Sequence, residues 1–235
     1  MIPIVIVCFN NHIYVENMIR QIIAKNPSYA ANILIMDNAS TDPNTRAYLD
    51  RSPHRVIRNS TNQGPWINHT YNAEVFKILP QRYILTDADL ELNKDLPVNF
   101  IDDMVKVMDF TGRWMVGFAL KRDDCDIPRI FGAEEHCWQT PIPHSDYELY
   151  SADIDTTFAL RDHSGAGPCG VRMAGNFTAR HLPWYDEDGV MTVAEKYTLY
   201  TSCDRRLSSS ANELLARIDQ LYVRLDDGTF VRRSN

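Results

Sequence analysis

No CxxC pair occurs in this chain, and its five cysteines are scattered. Neither a disulfide framework nor a zinc site is implied, and reduced thiols in a cytoplasmic setting are expected. His136, Cys137 and His144 lie close together, but they read as part of an ordered loop. No apolar run is long enough to cross a bilayer. The apolar start, Met1 to Phe9, is short, lacks a basic flank and runs into Asn10-Asn11, so it reads as a buried strand and not a signal peptide. Basic charge is in deficit: the net charge is −7, against the basic surface expected of a nucleic-acid binder. Internal repeats and low-complexity tracts are also missing. The 235 residues are enough for one large domain or two small ones, and a 44% hydrophobic content supports a real core.

What the chain does have is alternation. Ile2 to Phe9 is apolar on both faces, as in a parallel strand covered by helices on each side. Asn10-Asn11 supplies a turn and an N-cap. Val15, Met18, Ile19, Ile22 and Ile23 then recur at helical spacing as far as Asn26-Pro27. Ile33 to Met36 is a second buried strand. Asp42-Pro43 reads as an N-cap followed by a first-turn proline, opening a helix to about Asp50. Val56-Ile57 is a third strand and Asn62-Gln63-Gly64-Pro65 a loop. Val75, Phe76 and Leu79 form the inner face of a helix before the strand that ends at Asp87. Such alternation predicts a parallel sheet of crossover units with helices on both faces. Each strand ends in polar residues: Asn10-Asn11, Asp37-Asn38, Asn59, and Asp87 with Asp89. They converge on the edge where open sheets of this type bind ligands.

The second half reads as a helix over 98–110, a strand over 114–120, and a long segment from Lys121 to Tyr147 rich in Pro, Asp, His and aromatic residues. Long loops in compact domains are usually functional. Strands follow at 158–160 and 171–173, with Gly165-Ala166-Gly167-Pro168 as the turn between them, then a weaker helix over 193–204. Ser210-Ala211-Asn212-Glu213 reads as a capping box. It opens a helix with Leu214, Leu215, Ile218, Leu221, Tyr222 and Leu225 on one stripe, expected to dock on the domain and to end before Gly228.

The chemistry centres on Tyr83-Ile84-Leu85-Thr86-Asp87-Ala88-Asp89. If strand geometry persists past Thr86, Asp87 and Asp89 face one space. Two carboxylates that close repel unless a cation lies between them, and hard oxygen ligands suit Mg2+ or Mn2+. The alternative is an Asx-rich turn with both carboxylates solvated.

The blocks Cys8-Phe9-Asn10-Asn11, Ile35-Met36-Asp37-Asn38-Ala39-Ser40-Thr41-Asp42, Asn62-Gln63-Gly64-Pro65 and Asp87-Ala88-Asp89, in that order and spacing, resemble the family 2-like glycosyltransferases with the GT-A fold. The likeness covers roughly the first hundred residues. Residues 155–160 and 178–185 are similar to a narrower set. The resemblance implies one GT-A domain over 1–235, with a Rossmann-like, mostly parallel sheet and a smaller acceptor-side sheet. Residues 1–95 would form the half that binds the nucleotide sugar, 96–205 the acceptor half, and 206–235 a C-terminal helix and tail. It implies a hexosyltransferase-type enzyme that moves a sugar from a nucleotide-diphosphate sugar, a UDP-sugar foremost, to a hydroxyl of a glycan or other acceptor, with no nucleic-acid partner and no transmembrane segment.

The resemblance also implies roles residue by residue. Phe9 and Asn10 would line the nucleoside pocket through backbone groups and the aromatic ring. Asp37 would accept hydrogen bonds from base or ribose, or only cap its turn. Asn62 and Gly64 would allow close backbone approach, or form a plain turn. Asp89 would bind Mn2+ or Mg2+ directly, with Asp87 on the ribose or bound to the metal through water, and Ala88 between them would contact the nucleotide sugar. His181 would complete the metal sphere or contact a phosphate, and Arg180 would face the diphosphate. Asp155, then Asp153, would be the base that takes the acceptor proton, with Glu134, Glu135 and Asp146 as weaker alternatives. Trp138, Trp184 and Tyr185 suit stacking on a sugar ring or plain packing. Inversion follows from the family likeness; retention is the alternative. A nucleotidyltransferase would want a Gly-rich basic loop after the first strand, where this chain has Cys8-Phe9-Asn10-Asn11. A non-catalytic binding module should have lost one acid of the pair.

Overall fold

A computed structural model describes residues 2–64, 73–121, 134–154, 157–163, 169–203 and 209–234. Strands β1 (Ile4–Cys8), β2 (Ile33–Asp37), β3 (Arg55–Arg58) and β4 (Arg82–Asp87) are parallel and lie side by side in the order β3-β2-β1-β4. Helices α1 (His12–Lys25), α2 (Pro43–Asp50) and α3 (Ala73–Ile78) connect them. Ile4, Ile6, Ile33 and Ile35 pack with Tyr14, Val15, Met18 and Ile22 of α1 in one cluster. Val5, Met36 and Leu85 pack with Val75 and Phe76 of α3 in another. Both faces of each central strand are therefore covered, which is why these strands read as unbroken apolar runs. Each such buried aliphatic side chain contributes about 1.5–3 kcal/mol. Asp42 caps α2 by accepting from Thr45 N at 2.6 Å, with Pro43 in the first turn.

The second half extends the same sheet. Strands β6 (Met115–Phe118), β7 (Pro141–Ile142), β8 (Leu149–Ser151), β9 (Ala159–Asp162) and β10 (Val171–Met173) complete nine strands in the order β3-β2-β1-β4-β9-β6-β10-β8-β7. β9 runs antiparallel to both β4 and β6, and β10 runs parallel to β6. β4, β6 and β10 therefore point the same way, and their carboxyl ends share one edge. Two short strands, β5 (Leu90–Leu92) and β11 (Ala179–His181), form a separate antiparallel pair. Helix α4 (Phe100–Thr111) packs Phe100, Met104 and Met108 into the larger cluster. It stops at Gly112, whose φ of 63° only glycine adopts freely. Helix α5 (Val193–Ser202) carries the Thr192–Glu195 capping box and packs with α6 (Ser209–Leu221) through Leu199, Tyr200, Leu214 and Leu215. Strands β12 (Tyr222–Arg224) and β13 (Phe230–Arg232) form a terminal hairpin. Among the described residues no helix is long and apolar enough to cross a membrane.

Four expectations are corrected. Asn11 occupies the N-cap of α1, but its side chain makes no capping bond and accepts from Phe9 N instead. The strands at 159–162 and 171–173 are not neighbours, since β6 lies between them; the turn drawn at 165–168 falls outside the described residues. Helix α6 spans Ser209–Leu221, so Ser210 lies within it and not ahead of it. The same helix ends at Leu221: Tyr222 belongs to β12, Leu225 lies beyond that strand, and Gly228 (φ 86°) sits in the hairpin turn. Ala211, Leu214, Leu215 and Ile218 are buried, so the apolar stripe of α6 does dock on the domain.

Candidate active site

The carboxyl edge of the sheet gathers the polar strand ends. Asn10 follows β1 in the left-handed region, φ 55°, which Asn tolerates better than most residues. Its Oδ1 accepts from Thr41 N (2.7 Å) and Asp42 N (2.8 Å). Its Nδ2 donates to Thr41 Oγ1 and to Ser202 Oγ, both at 3.2 Å. The whole side-chain amide is spent on the 40–42 turn and on the last residue of α5. Phe9, beside it, is partly buried. Asp37 ends β2; its Oδ1 accepts from Ser40 N at 2.9 Å and its Oδ2 lies 3.7 Å from Arg58 Nε. That carboxylate holds the turn after β2, where Ala39 is also left-handed at φ 63°.

Sequence reasoning missed Asn38. Its buried Nδ2 donates to Asn62 Oδ1 (2.9 Å) and Gly64 O (3.1 Å). Its Oδ1 accepts from Gln63 N (2.9 Å) and Asn59 Nδ2 (3.3 Å). One amide thus stitches the 62–64 loop to the end of β2, and Gly64 takes φ 76° to make the turn. The available signal was the block itself, where Asn38 follows a strand-end acid. Ser202 carried no local signal, because it arrives from the far end of the chain.

β4 ends at Asp87, and Ala88-Asp89 form a bend before β5. The acidic pair therefore does not continue as strand, yet it converges with a third group. The β5–β11 ladder sets His181 opposite Leu90, and Leu182 N donates to Asp89 O at 2.8 Å. His181 Nε2 then lies 3.5 Å from Asp89 Oδ1. One ligand atom each from Asp87, Asp89 and His181 lies within 4.8 Å of the others. Asp89 Oδ1 is buried and accepts no hydrogen bond from a described residue. A carboxylate oxygen removed from water without a donor is costly, and a divalent cation is the partner that two carboxylates and an imidazole fit. Among the described residues His136, Cys137 and His144 form no such group.

Around this core, Ala88, between the two acids in the chain, is buried. Arg180 pairs with Glu91 at 2.8 Å and stacks over the Tyr185 ring at 3.8 Å. Trp184 and Tyr185 are buried, Trp184 against His181, while Trp138 is partly exposed beside Tyr150. Asp153 is exposed between buried Ala152 and Ile154. Asp155 lies outside the described residues. Glu134 is held by Arg172 at 2.7 Å.

Two thiols border the site. Burial first, then the charge of Asp37, pushes the buried Cys8 thiol up to about 12; burial first, then Asp89, pushes Cys203 up to about 11. A raised thiol pKa lowers the reactive thiolate, so Cys203 should be only ~10⁻³ ionised at pH 8. Alkylation by iodoacetamide at pH 8 should spare both until the protein is unfolded, and Cys203 should become reactive only as pH climbs towards its pKa. Mass spectrometry of labelled peptides checks this; rapid labelling of either at pH 8 would contradict it.

A mostly parallel sheet with helices on both faces, an acid–histidine cluster past its central strand and small satellite sheets define a GT-A-type glycosyltransferase fold. The chain belongs to glycosyl transferase family 2, whose family model matches residues 4–164. No curated protein sequence matches it. Among solved structures, the mannosyltransferase PcManGT from Pyrobaculum calidifontis, in complex with GDP-Man and Mn2+, is 14% identical with a TM-score of 0.49, over 92% of this chain and 68% of that one. Residues 1–349 of S. aureus TarS are 12% identical with a TM-score of 0.44, over 92% and 70%. Glucosyl-3-phosphoglycerate synthase from Mycobacterium tuberculosis, with Mn2+, UDP and glucosyl-3-phosphoglycerate, is 15% identical with a TM-score of 0.42. That alignment covers 70% of this chain and 57% of the synthase chain.

Proposed function

We propose that the protein transfers a sugar from a nucleotide-diphosphate sugar, a UDP-sugar foremost, to an acceptor hydroxyl, with inversion at the anomeric carbon. The observation that carries this reading is the buried Asp89 Oδ1, which accepts no hydrogen bond from a described residue and lies within reach of Asp87 and His181 at the carboxyl edge of a family 2 sheet. Asp89, Asp87 and His181 would hold a divalent cation. An imidazole in the set favours Mn2+ over Mg2+, which prefers oxygen ligands and its own waters. Such a cation would neutralise the charge that gathers on the departing nucleotide diphosphate.

The chain's own groups would do the rest. Asp37 would offer its remaining lone pairs to base or ribose. The 62–64 loop, held by Asn38, and the main chain at Phe9-Asn10 would close on the nucleoside. Arg180, next to His181, would bear on the diphosphate. Asp155, or Asp153 before it, would take the proton from the attacking hydroxyl as the new glycosidic bond forms and the anomeric carbon–phosphate oxygen bond breaks.

Thermal unfolding tests this directly. UDP at about 100 times the dissociation constant it shows in the presence of Mn2+ should, with Mn2+ present, stabilise the fold by about 2.7 kcal/mol, or roughly 5–11 °C in Tm. Either alone should do much less. Equal shifts by UDP with and without Mn2+ would overturn the metal role, and a larger shift with GDP would move the donor class.

A further inference from the structure

Tyr200 stands beside the acidic cluster and has no task in the reading above. It lies on α5, on the same face as Lys196 one turn earlier. That face is pinned to the donor half at two points. Lys196 Nζ meets Asp188 at 3.1 Å, and Asp188 accepts from the Tyr14 hydroxyl of α1 at 2.7 Å. Two residues past Tyr200, Ser202 Oγ accepts from Asn10 Nδ2 at 3.2 Å, just beyond the carboxyl end of β1. Val7 of β1 is in register with Asp87 of β4, so this second pin lies at the strand ends that carry the acids.

Between the pins Tyr200 is 7% exposed and belongs to the cluster that holds Tyr14, Ala88, Leu90 and Leu182. Its hydroxyl is buried and meets no hydrogen-bond partner among the described residues. Burial, and after it the charge of Asp89, keeps this phenol protonated, so it has a hydrogen to give. Asp89 has the complementary defect: its Oδ1 is buried and accepts from no described residue. Each orphan is costly by itself. Other polar hydrogens in this corner are committed. Tyr14 gives its own to Asp188. Ser202 Oγ and the Cys203 thiol give theirs to the Leu199 carbonyl, at 2.7 and 3.4 Å. His181 Nε2 faces Asp89 Oδ1 at 3.5 Å, but a ring nitrogen that gives its lone pair to a cation carries no proton for a neighbour.

We infer that Tyr200 is a positioning residue for Asp89: its hydroxyl is the donor that steadies this carboxylate, directly or across one water, while Asp89 holds a divalent cation. The inference rests on the transferase reading above. A carboxylate that takes a metal is oriented by the hydrogen bonds it accepts on its remaining lone pairs. Loss of such an outer partner typically costs about 10–100-fold in metal affinity. Tyr200 reaches the ligand from a helix near the end of the chain, so the C-terminal part of the fold would share in building a site whose acids come from β4.

The experiment uses the full chain and the variant Tyr200→Phe, which deletes the hydroxyl and keeps the ring. Tyr29→Phe is the control. That hydroxyl is also buried, in a residue 9% exposed just ahead of the amino end of β2, the edge away from the site. Three quantities are read: Tm without ligand, the Mn2+ dissociation constant at saturating UDP by isothermal titration, and UDP affinity as Mn2+ is raised. Tyr200→Phe should not lower Tm, since the group removed is an orphan. It should bind Mn2+ about 10-fold or more weakly, and raising Mn2+ by the same factor should restore UDP binding. Tyr29→Phe should keep its Mn2+ constant within about twofold. A purely structural hydroxyl would leave the Mn2+ constant of Tyr200→Phe within about twofold too, and that result would overturn the inference. So would equal losses in both variants, or weakened UDP binding that excess Mn2+ does not restore. If Tyr200→Phe does not fold, a crystal structure of the unaltered protein with UDP and Mn2+ decides. A Tyr200 hydroxyl bonded to Asp89, or to a water shared with it, supports the inference; a hydroxyl bonded elsewhere overturns it. An unaltered protein that binds neither Mn2+ nor UDP fails the transferase reading itself, whereas tight binding unmoved by Tyr200→Phe fails this inference alone.

Discussion

Asp89→Ala should abolish Mn2+-dependent UDP binding and lower turnover by about 10³-fold or more, several kcal/mol of lost charge stabilisation. The reason lies in the geometry of one oxygen. Asp89 Oδ1 is buried, accepts no hydrogen bond from a described residue, and faces His181 Nε2 at 3.5 Å. Deleting it leaves Asp87 and His181, two groups on separate elements, to hold a cation against water. The fold should survive, because the main-chain bond from Leu182 N to Asp89 O does not depend on the side chain. Isothermal titration with Mn2+ and UDP, alongside a turnover assay, checks both halves. Wild-type turnover in a folded Asp89→Ala protein would remove the metal role.

Asp188→Ala should have the largest effect on stability, about 3–5 kcal/mol, the usual result of stripping one partner from a buried ion pair. The Asp188 carboxylate is 0% exposed and meets Lys196 Nζ at 3.1 Å. It also accepts from the Tyr14 hydroxyl at 2.7 Å and from the Val190 and Met191 amides at 2.8 and 2.9 Å. Removing it strands the Lys196 ammonium, 6% exposed, with the carbonyls of Tyr185 and Asp186 as its remaining partners among the described residues. For a chain of this length the loss corresponds to roughly 6–20 °C in Tm. Replacing both charges, as Asp188→Leu with Lys196→Met, should recover only the part due to the stranded ammonium, since the Tyr14 hydroxyl and the Val190 and Met191 amides still lose their acceptor. Urea unfolding of the three variants reads the effect; a loss below about 1 kcal/mol for Asp188→Ala would show that the ammonium finds water. The pair also matters to the site. Tyr14 belongs to α1 and Lys196 to α5, and α5 ends at the serine that receives the Asn10 amide.

The parallel half of the sheet was legible because its signals are local. Apolar runs of strand length, an Asp-Pro start and an Asn-Pro stop each act within a few residues. The order of the second half was not legible. Nothing in Ala159-Leu160-Arg161-Asp162 says that it will run backwards between β4 and β6, because that choice is made by strands distant in the chain. The C-terminal hairpin was misread for a definite reason. Leu221, Tyr222 and Leu225 keep helical spacing with Leu214 and Ile218, while Tyr222 and Val223 favour strand, and Asp226-Asp227-Gly228 is a turn signal that the periodicity outweighed. At the site, the acidic pair announced itself as polar residues closing an apolar strand. The ladder that sets His181 opposite Leu90 did not, since strands of three residues have no periodicity to read. The Asn38 amide was equally hidden: an asparagine after a strand looks like any turn, and three of its four bonds exist only once the 62–64 loop has come back to it.

The insertion of β9 between β4 and β6 also has a consequence for birth on the ribosome. After β4 emerges, the strand that will flank it is still about 75 residues from being made, some 4–15 s at ordinary elongation rates. Throughout that interval the nascent chain offers an unpaired strand flank bearing Tyr83 and Leu85, the kind of template that other chains can add to. Premature release within that window should therefore yield insoluble fragments, and escort by a holding chaperone is most needed before residue 162 has left the exit tunnel.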